Sequence, residues 1–236
     1  MANMPKLRGK KNKVVKPRLL IYCEGEKIEP NYIREYIAWK HPTVRAFNSS
    51  VIVMDTDKNT PVALVKVAIK KMNENNNRGE NVTDEYWVVY DRESVNKYPD
   101  ELHQQAFTEA RKQEVHVVLS NVCFEYWILL HFIESAVSAN CCDDVINNNA
   151  FASALKSAGI PNYSKTDISL AKKIVAHVDA NQISAVDIAR ERAKRINEQT
   201  KACAPKGNIN RPYCLSPYTN MHELLDAIDN YVGKYF

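Results

Sequence analysis

The chain has 236 residues, 45% of them hydrophobic and 25% charged, the balance of an ordinary globular protein with room for one substantial domain and an appendage. Its formal charge of +4 hides an asymmetry: residues 1–18 carry seven basic side chains and no acidic one, and subtracting those seven leaves −3 for the rest. No run of about 18 apolar residues predicts a membrane span, and no apolar stretch follows the early positive charges as in a secretory signal.

Residues 1–17 read as a basic flexible arm. Such an arm can grip phosphates by releasing counterions, and it serves equally well as a solvated terminus. None of the six cysteines, Cys23, Cys123, Cys141, Cys142, Cys203 and Cys214, pairs at C-x₂-C spacing, and Cys141-Cys142 lacks a matching pair of histidines. The pattern therefore predicts no structural zinc, and reduced thiols of this kind suit the cytoplasm.

The first expected strand is Arg18–Glu24, RLLIYCE, a nearly continuous apolar run of the sort buried on both faces of a parallel sheet. A helix follows from about Glu29 to Lys40, with Pro30 suited to its first turn. A second strand, Ser50–Asp55, precedes a helix from Thr60 to about Asn75, and the Asn-rich segment Asn73–Gly79 reads as a loop. Glu85–Asp91 is the third strand, Pro99–Gln113 a helix, Val115–Ser120 the fourth strand and Phe124–Glu134 the helix after it. This β-α alternation predicts an α/β domain with a parallel sheet flanked by helices over residues 18–138. Residues 139–236 read as a helical C-terminal subdomain packed on that core, with helices at Phe151–Ala158, Ile168–Val178, Ser184–Gln199 and Met221–Tyr235.

In open α/β sheets the ligand lies beyond the carboxyl ends of the strands, and Glu24, Asp91 and Asn121 all fall at such ends. Gly25 after Glu24 allows a sharp turn and close approach to the main chain. Asp91 and Glu93, at i and i+2, can share one hard divalent cation, and Arg92 between them can balance charge or contact a phosphate. Taken singly, each of these also reads as an acidic surface turn. Glu125 is different, because a carboxylate on so apolar a helix is costly unless it is paired, metal-bound or facing a crevice. His131, on the same helix, reads first as a core residue. Together these groups form the arrangement that metal-assisted phosphoryl chemistry needs.

The segments LLIYCEGEKIEPNYI, YWVVYDRE and SNVCFEYWILLHF resemble, in order and spacing, the three blocks of the RloB family. The resemblance implies a Toprim-like Rossmannoid fold. In it Glu24 is the acid/base or metal-linked glutamate, Asp91 and Glu93 are the metal-binding pair for Mg²⁺ or Mn²⁺, and Glu125 is a further site carboxylate. It also implies a phosphate contact by Lys165. Glu93 stands where the family more usually has Asp, which lengthens that ligand by one methylene. A metal-dependent nuclease acting on DNA or RNA in antiviral, abortive-infection defence is the implied activity, with an ABC-type or AAA-type ATPase as partner. A catalytically silent adaptor for such an ATPase is the alternative. A phosphotransferase is disfavoured because no G-x₄-G-K-[ST] loop is present. A homo-oligomer stays open, as do nucleic-acid type and sequence preference.

Overall fold

A computed structural model describes residues 17–47, 50–54, 56–57, 60–77, 84–160, 163–165 and 167–236. The expected basic arm, apart from Pro17, and the expected strand end at Asp55 lie outside the described residues. The chain runs β1 (Leu19–Cys23), α1 (Ile28–Lys40), α2 (Pro42–Phe47), β2 (Val51–Met54), α3 (Pro61–Asn77), β3 (Glu85–Asp91), α4 (Asp100–Lys112), β4 (His116–Asn121) and α5 (Phe124–Phe132). It continues with α6 (Cys142–Ile146), α7 (Asn149–Ser157), α8 (Ile168–Val175), α9 (Ala185–Cys203), a 3-10 turn at Pro212–Cys214, β5 (Tyr218–Thr219) and α10 (Met221–Tyr235).

The sheet order is β2-β1-β3-β4-β5, with every pair parallel except β4 and β5. The expected α/β architecture with a parallel, helix-flanked, Rossmann-like sheet is therefore what the chain builds. Side chains alternate across it. Leu19, Ile21, Trp87, Val89 and Val118 join a core formed with α1, α5, α8, α9 and α10. Leu20, Tyr22, Tyr86, Val88, Tyr90 and Leu119 join the opposite core, under α3 and α4. Continuous apolar runs such as LLIYC are what a strand covered on both faces requires.

Three differences from the sequence reading have identifiable causes. α3 continues to Asn77, through part of the segment read as a loop, and Asn75 is held there by donating to the Tyr86 hydroxyl at 2.8 Å. That tertiary bond outweighs the weak helix propensity of asparagine. The polar segment after residue 138 contains the short helix α6, whose start is stabilised by Asp144 accepting from the Asn140 and Cys141 amides at 2.8 and 3.3 Å. The C-terminal region is not solely helical, since β5 adds an antiparallel edge strand to the sheet itself. Two-residue strands carry too little pattern to be read from sequence.

α8 packs on α1 and α9 on α5, so the last hundred residues close one face of the sheet. No helix among the described residues is long and apolar enough to cross a membrane. Because β1 lies between two parallel neighbours and Ile21 has no exposed surface, Ile21→Ala is expected to cost about 2–5 kcal/mol in urea denaturation. Val137→Ala, at a two-thirds exposed position, should stay within about 0.5 kcal/mol of the parent chain.

Candidate functional site

β1 is followed by β2 on one side and neighboured by β3 on the other, so the chain reverses direction across the sheet between β1 and β3. Loops leaving the carboxyl ends of two such strands splay apart and open a crevice. Glu24 and Asp91 sit at those two ends, and the cleft there has a volume of about 390 Å³. Glu24, Glu29, Asp91, Glu93, Glu125, Lys97 and Lys165 all line it. Of the residues singled out from sequence, Glu24, Gly25, Asp91, Glu93, Glu125 and Lys165 are thus brought to one place, and Arg92, Asn121 and His131 are not.

Backbone pairing fixes the first two. The Glu24 amide continues the ladder by donating to the Val89 carbonyl at 2.8 Å. Its carboxylate then turns back to accept from the Asp91 amide at 3.1 Å and from the Tyr98 hydroxyl at 3.2 Å. Burial raises the Glu24 pKa despite these donors. Asp91 is raised further, by burial first and then by the charges of Glu29, Glu125 and Glu24.

Glu29 is the member of the cluster that sequence reasoning missed. It lies in the first turn of α1 and is nearly fully buried. Its carboxylate lies directly over Gly25: a β-carbon at that position would come within 1.9 Å of Glu29 Oε2. Gly25 is therefore needed for the close approach of a carboxylate, a more specific role than the sharp turn expected of it. The available signal was E-G-x₃-E, which places a second acid one turn into the helix that follows the strand. Burial, together with Glu125 and Glu24, lifts the Glu29 pKa to about 7.

Glu125, with no exposed surface, is held differently. One oxygen accepts from the Tyr163 hydroxyl at 2.6 Å and pairs with the Lys165 ammonium at 2.9 Å, while the other accepts from the Cys142 thiol at 3.0 Å. Burial alone would raise its pKa, but Lys165 and these hydrogen bonds outweigh it and leave Glu125 below the usual carboxylate range. Lys165 is thus the counter-ion of Glu125, with its side chain half exposed at the cleft rim.

Glu93 turns in the left-handed region at φ 58°, a conformation costing an L residue on the order of 1–2 kcal/mol. Its amide donates to the Val122 carbonyl at 2.9 Å, and its carboxylate accepts from Lys97 Nζ at 2.6 Å. Arg92 is not brought to the cleft. It is buried, and its guanidinium donates to the Tyr213 carbonyl at 2.9 Å, the Tyr98 carbonyl at 2.8 Å and Asp100 at 2.7 Å. The structure thus gives the residue expected to meet a phosphate a different task, tying the β3 turn to α4 and the 3-10 segment. Asn121 is likewise internal, donating to the Leu215 carbonyl at 2.6 Å. His131 is a core residue: its Nδ1 faces the Trp127 carbonyl at 3.0 Å, its Nε2 meets the Tyr32 hydroxyl at 2.8 Å, and burial lowers its pKa to about 3.

Glu24, Glu29 and Asp91 line the cleft with carboxylate oxygens, the ligand type that hard divalent cations take, and burial raises the pKa of each. Arg92→Met is expected to destabilise the fold by about 2–4 kcal/mol, because two buried carbonyls lose their donor. The sign of the pH dependence follows from Glu29. Its folded-state pKa lies above the ordinary 4.5, so its contribution to stability is fully present below that value and disappears as pH rises through about 7. At about 1.4 kcal/mol per unit the loss is roughly 3 kcal/mol. In chelator, the Glu29→Gln variant should lose less stability than the parent over this range in urea titrations; parallel curves would refute the assignment.

No curated protein and no solved structure matches the chain. The family model described as RloB-like protein matches residues 19–228, which takes in β1, every residue of the cleft and most of α10. The chain belongs to the RloB-like family.

Proposed function

We propose that the chain is a Mg²⁺- or Mn²⁺-dependent nuclease of the Toprim kind, cleaving phosphodiester bonds of DNA or RNA. The observation that carries this reading is the convergence of Glu24, Glu29 and Asp91 on one cleft at the β1/β3 switch point, where burial raises the pKa of each. Those three residues would hold the metal. When bound there, a divalent cation neutralises nonbridging phosphate oxygens and lowers the pKa of a coordinated water.

The chain's own residues supply the rest. Glu24 is oriented by the Asp91 amide and the Tyr98 hydroxyl, which fixes one oxygen on each donor. Glu125 stays ionised through Lys165 and Tyr163, adding negative field to the cleft wall. Lys165, half exposed, can leave Glu125 for a phosphate oxygen, and Lys97 at the opposite rim can do the same from Glu93. Glu93 is a weaker ligand candidate than Asp91, because it is paired with Lys97 and displaced from the strand by its turn. Family resemblance adds a role in antiviral defence beside an ATPase partner. The adaptor reading gains no specific support from the cleft.

The test is cleavage of a mixed panel of DNA and RNA by the purified chain, alone and with a candidate ABC-type ATPase added. Mn²⁺ or Mg²⁺ should support cleavage and EDTA should abolish it. Glu24→Gln and Asp91→Asn should each lower the rate by about 10³-fold or more while leaving the fold intact. Gly25→Ala, which pushes Glu29 out of place, should do nearly the same without removing any carboxylate. Folded variants at parental rates would overturn the reading.

A further inference from the structure

Cys123 and Cys142 are nineteen residues apart and show no metal-binding spacing, yet the fold brings them together beside Glu125. Cys123 precedes the first residue of α5 and is fully buried, whereas Cys142 opens α6 and is partly exposed. Among the described residues, Cys123 Sγ, a Glu125 oxygen and Cys142 Sγ form a group of three potential ligand atoms within 4.8 Å of one another. Two soft sulfurs and one oxygen differ in kind from the all-oxygen wall of Glu24, Glu29 and Asp91. Thiolates select zinc-like ions, whereas carboxylates alone suit magnesium and manganese.

We propose that Cys123, Glu125 and Cys142 form a second cation site, for a thiophilic divalent metal of the Zn²⁺ class. Zinc–sulfur bonds of about 2.3 Å and zinc–oxygen bonds of about 2.0 Å set tetrahedral ligand atoms some 3.5–3.8 Å apart, so the three atoms need to shift by an ångström or less. Cys142 is the more accessible sulfur, at the start of a five-residue helix and partly exposed. A positive charge already sits at this position: Lys165 Nζ lies 2.9 Å from Glu125 and 3.3 Å from the Cys142 sulfur. Its half-exposed side chain can move aside as the metal enters.

The charges balance as well. Each thiol releases its proton to solvent as its sulfur binds, giving two thiolates and a carboxylate around a dication, a net of −1 that the neighbouring Lys165 ammonium offsets. Three protein ligands leave a fourth position for water, with the Tyr163 hydroxyl at hand to hydrogen-bond it. Of its three metal ligands only Glu125 belongs to the proposed nuclease centre, with Lys165 and Tyr163 beside both, and the site stands whether or not that activity exists.

Cd²⁺ is the probe, because sulfur-to-cadmium charge transfer absorbs in the ultraviolet where carboxylate-bound cadmium does not. Reduced, chelator-treated full-length chain should develop that band and saturate at one equivalent. Cys123→Ser and Cys142→Ser should each abolish it, while Cys141→Ser, Cys203→Ser, Cys214→Ser and Glu24→Gln should retain it. A large excess of Mg²⁺ should leave the band in place, and Zn²⁺ should bleach it stoichiometrically. Circular dichroism of each variant establishes folding, and Cys142→Ser, at a partly exposed helix start, is the variant expected to fold like the parent. Absence of the band, its survival in folded Cys142→Ser, or its displacement by Mg²⁺ would each overturn the proposal.

Discussion

The structure depends on holding four carboxylates, those of Glu24, Glu29, Asp91 and Glu125, in one cleft at the carboxyl edge of the sheet. Two like charges about 4 Å apart repel by roughly 4 kcal/mol at the effective dielectric of a protein surface. Burial adds a desolvation cost for every charged form. The remedies are a proton, a hydrogen-bond donor, a basic side chain or a bound cation. The molecule uses the first three unequally. Glu125 receives Lys165, which holds its pKa down, while burial and the neighbouring acids push the pKa of Glu29 and Asp91 up. Under the proposed function, that imbalance is what a cation on the Glu24–Glu29–Asp91 wall would relieve.

The surrounding fold follows from this constraint. Glu29 can lie over the β1–α1 turn only because residue 25 has no side chain, so one glycine governs how closely two acids approach. Lys165 and Tyr163 come from the C-terminal half, between α7 and α8, so the region that reads as an appended helical subdomain supplies the counter-charge of the cleft. Arg92 works outside the cleft. Placed between two acidic residues, it turns away and uses its guanidinium to bind carbonyls from Tyr98 and Tyr213. This fixes the turn carrying Asp91 and Glu93, and the fixing accounts for the left-handed backbone at Glu93.

What sequence made legible was what periodicity and chemistry encode locally. LLIYC, EYWVVYD and the strand before Asn121 announce buried parallel strands, and the acids that end the first two announce the cleft. Glu125 stood out because a charge on an apolar helix demands a partner, and the partner found was Lys165, forty residues away and named only through family resemblance. Glu29 was hidden because an acid in a first helical turn has an ordinary explanation in the helix dipole. The pairing of β5, the extension of α3 by Asn75 and the inward turn of Arg92 all rest on contacts between residues far apart in the chain. Local pattern cannot encode these. Cys123 and Cys142 belong with them, since their meeting is a product of the fold alone.

Charge distribution bears on how a polyanion would reach an acidic cleft under the proposed function. The chain without its first eighteen residues is formally −3, so bulk attraction cannot draw a nucleic acid in. Attraction must be local, and three lysines line the cleft: Lys27, Lys97 and Lys165. Two of them are already neutralised by site carboxylates, Lys97 by Glu93 and Lys165 by Glu125. A divalent cation settling on Glu24, Glu29 and Asp91 would change this balance. It would offset the acids that repel phosphate and present positive charge at the point where the backbone must lie. Cation and substrate binding would then be thermodynamically linked, each strengthening the other by the same factor. The chain would grip nucleic acid at the cleft chiefly when it holds metal, which confines engagement to the one state able to cleave.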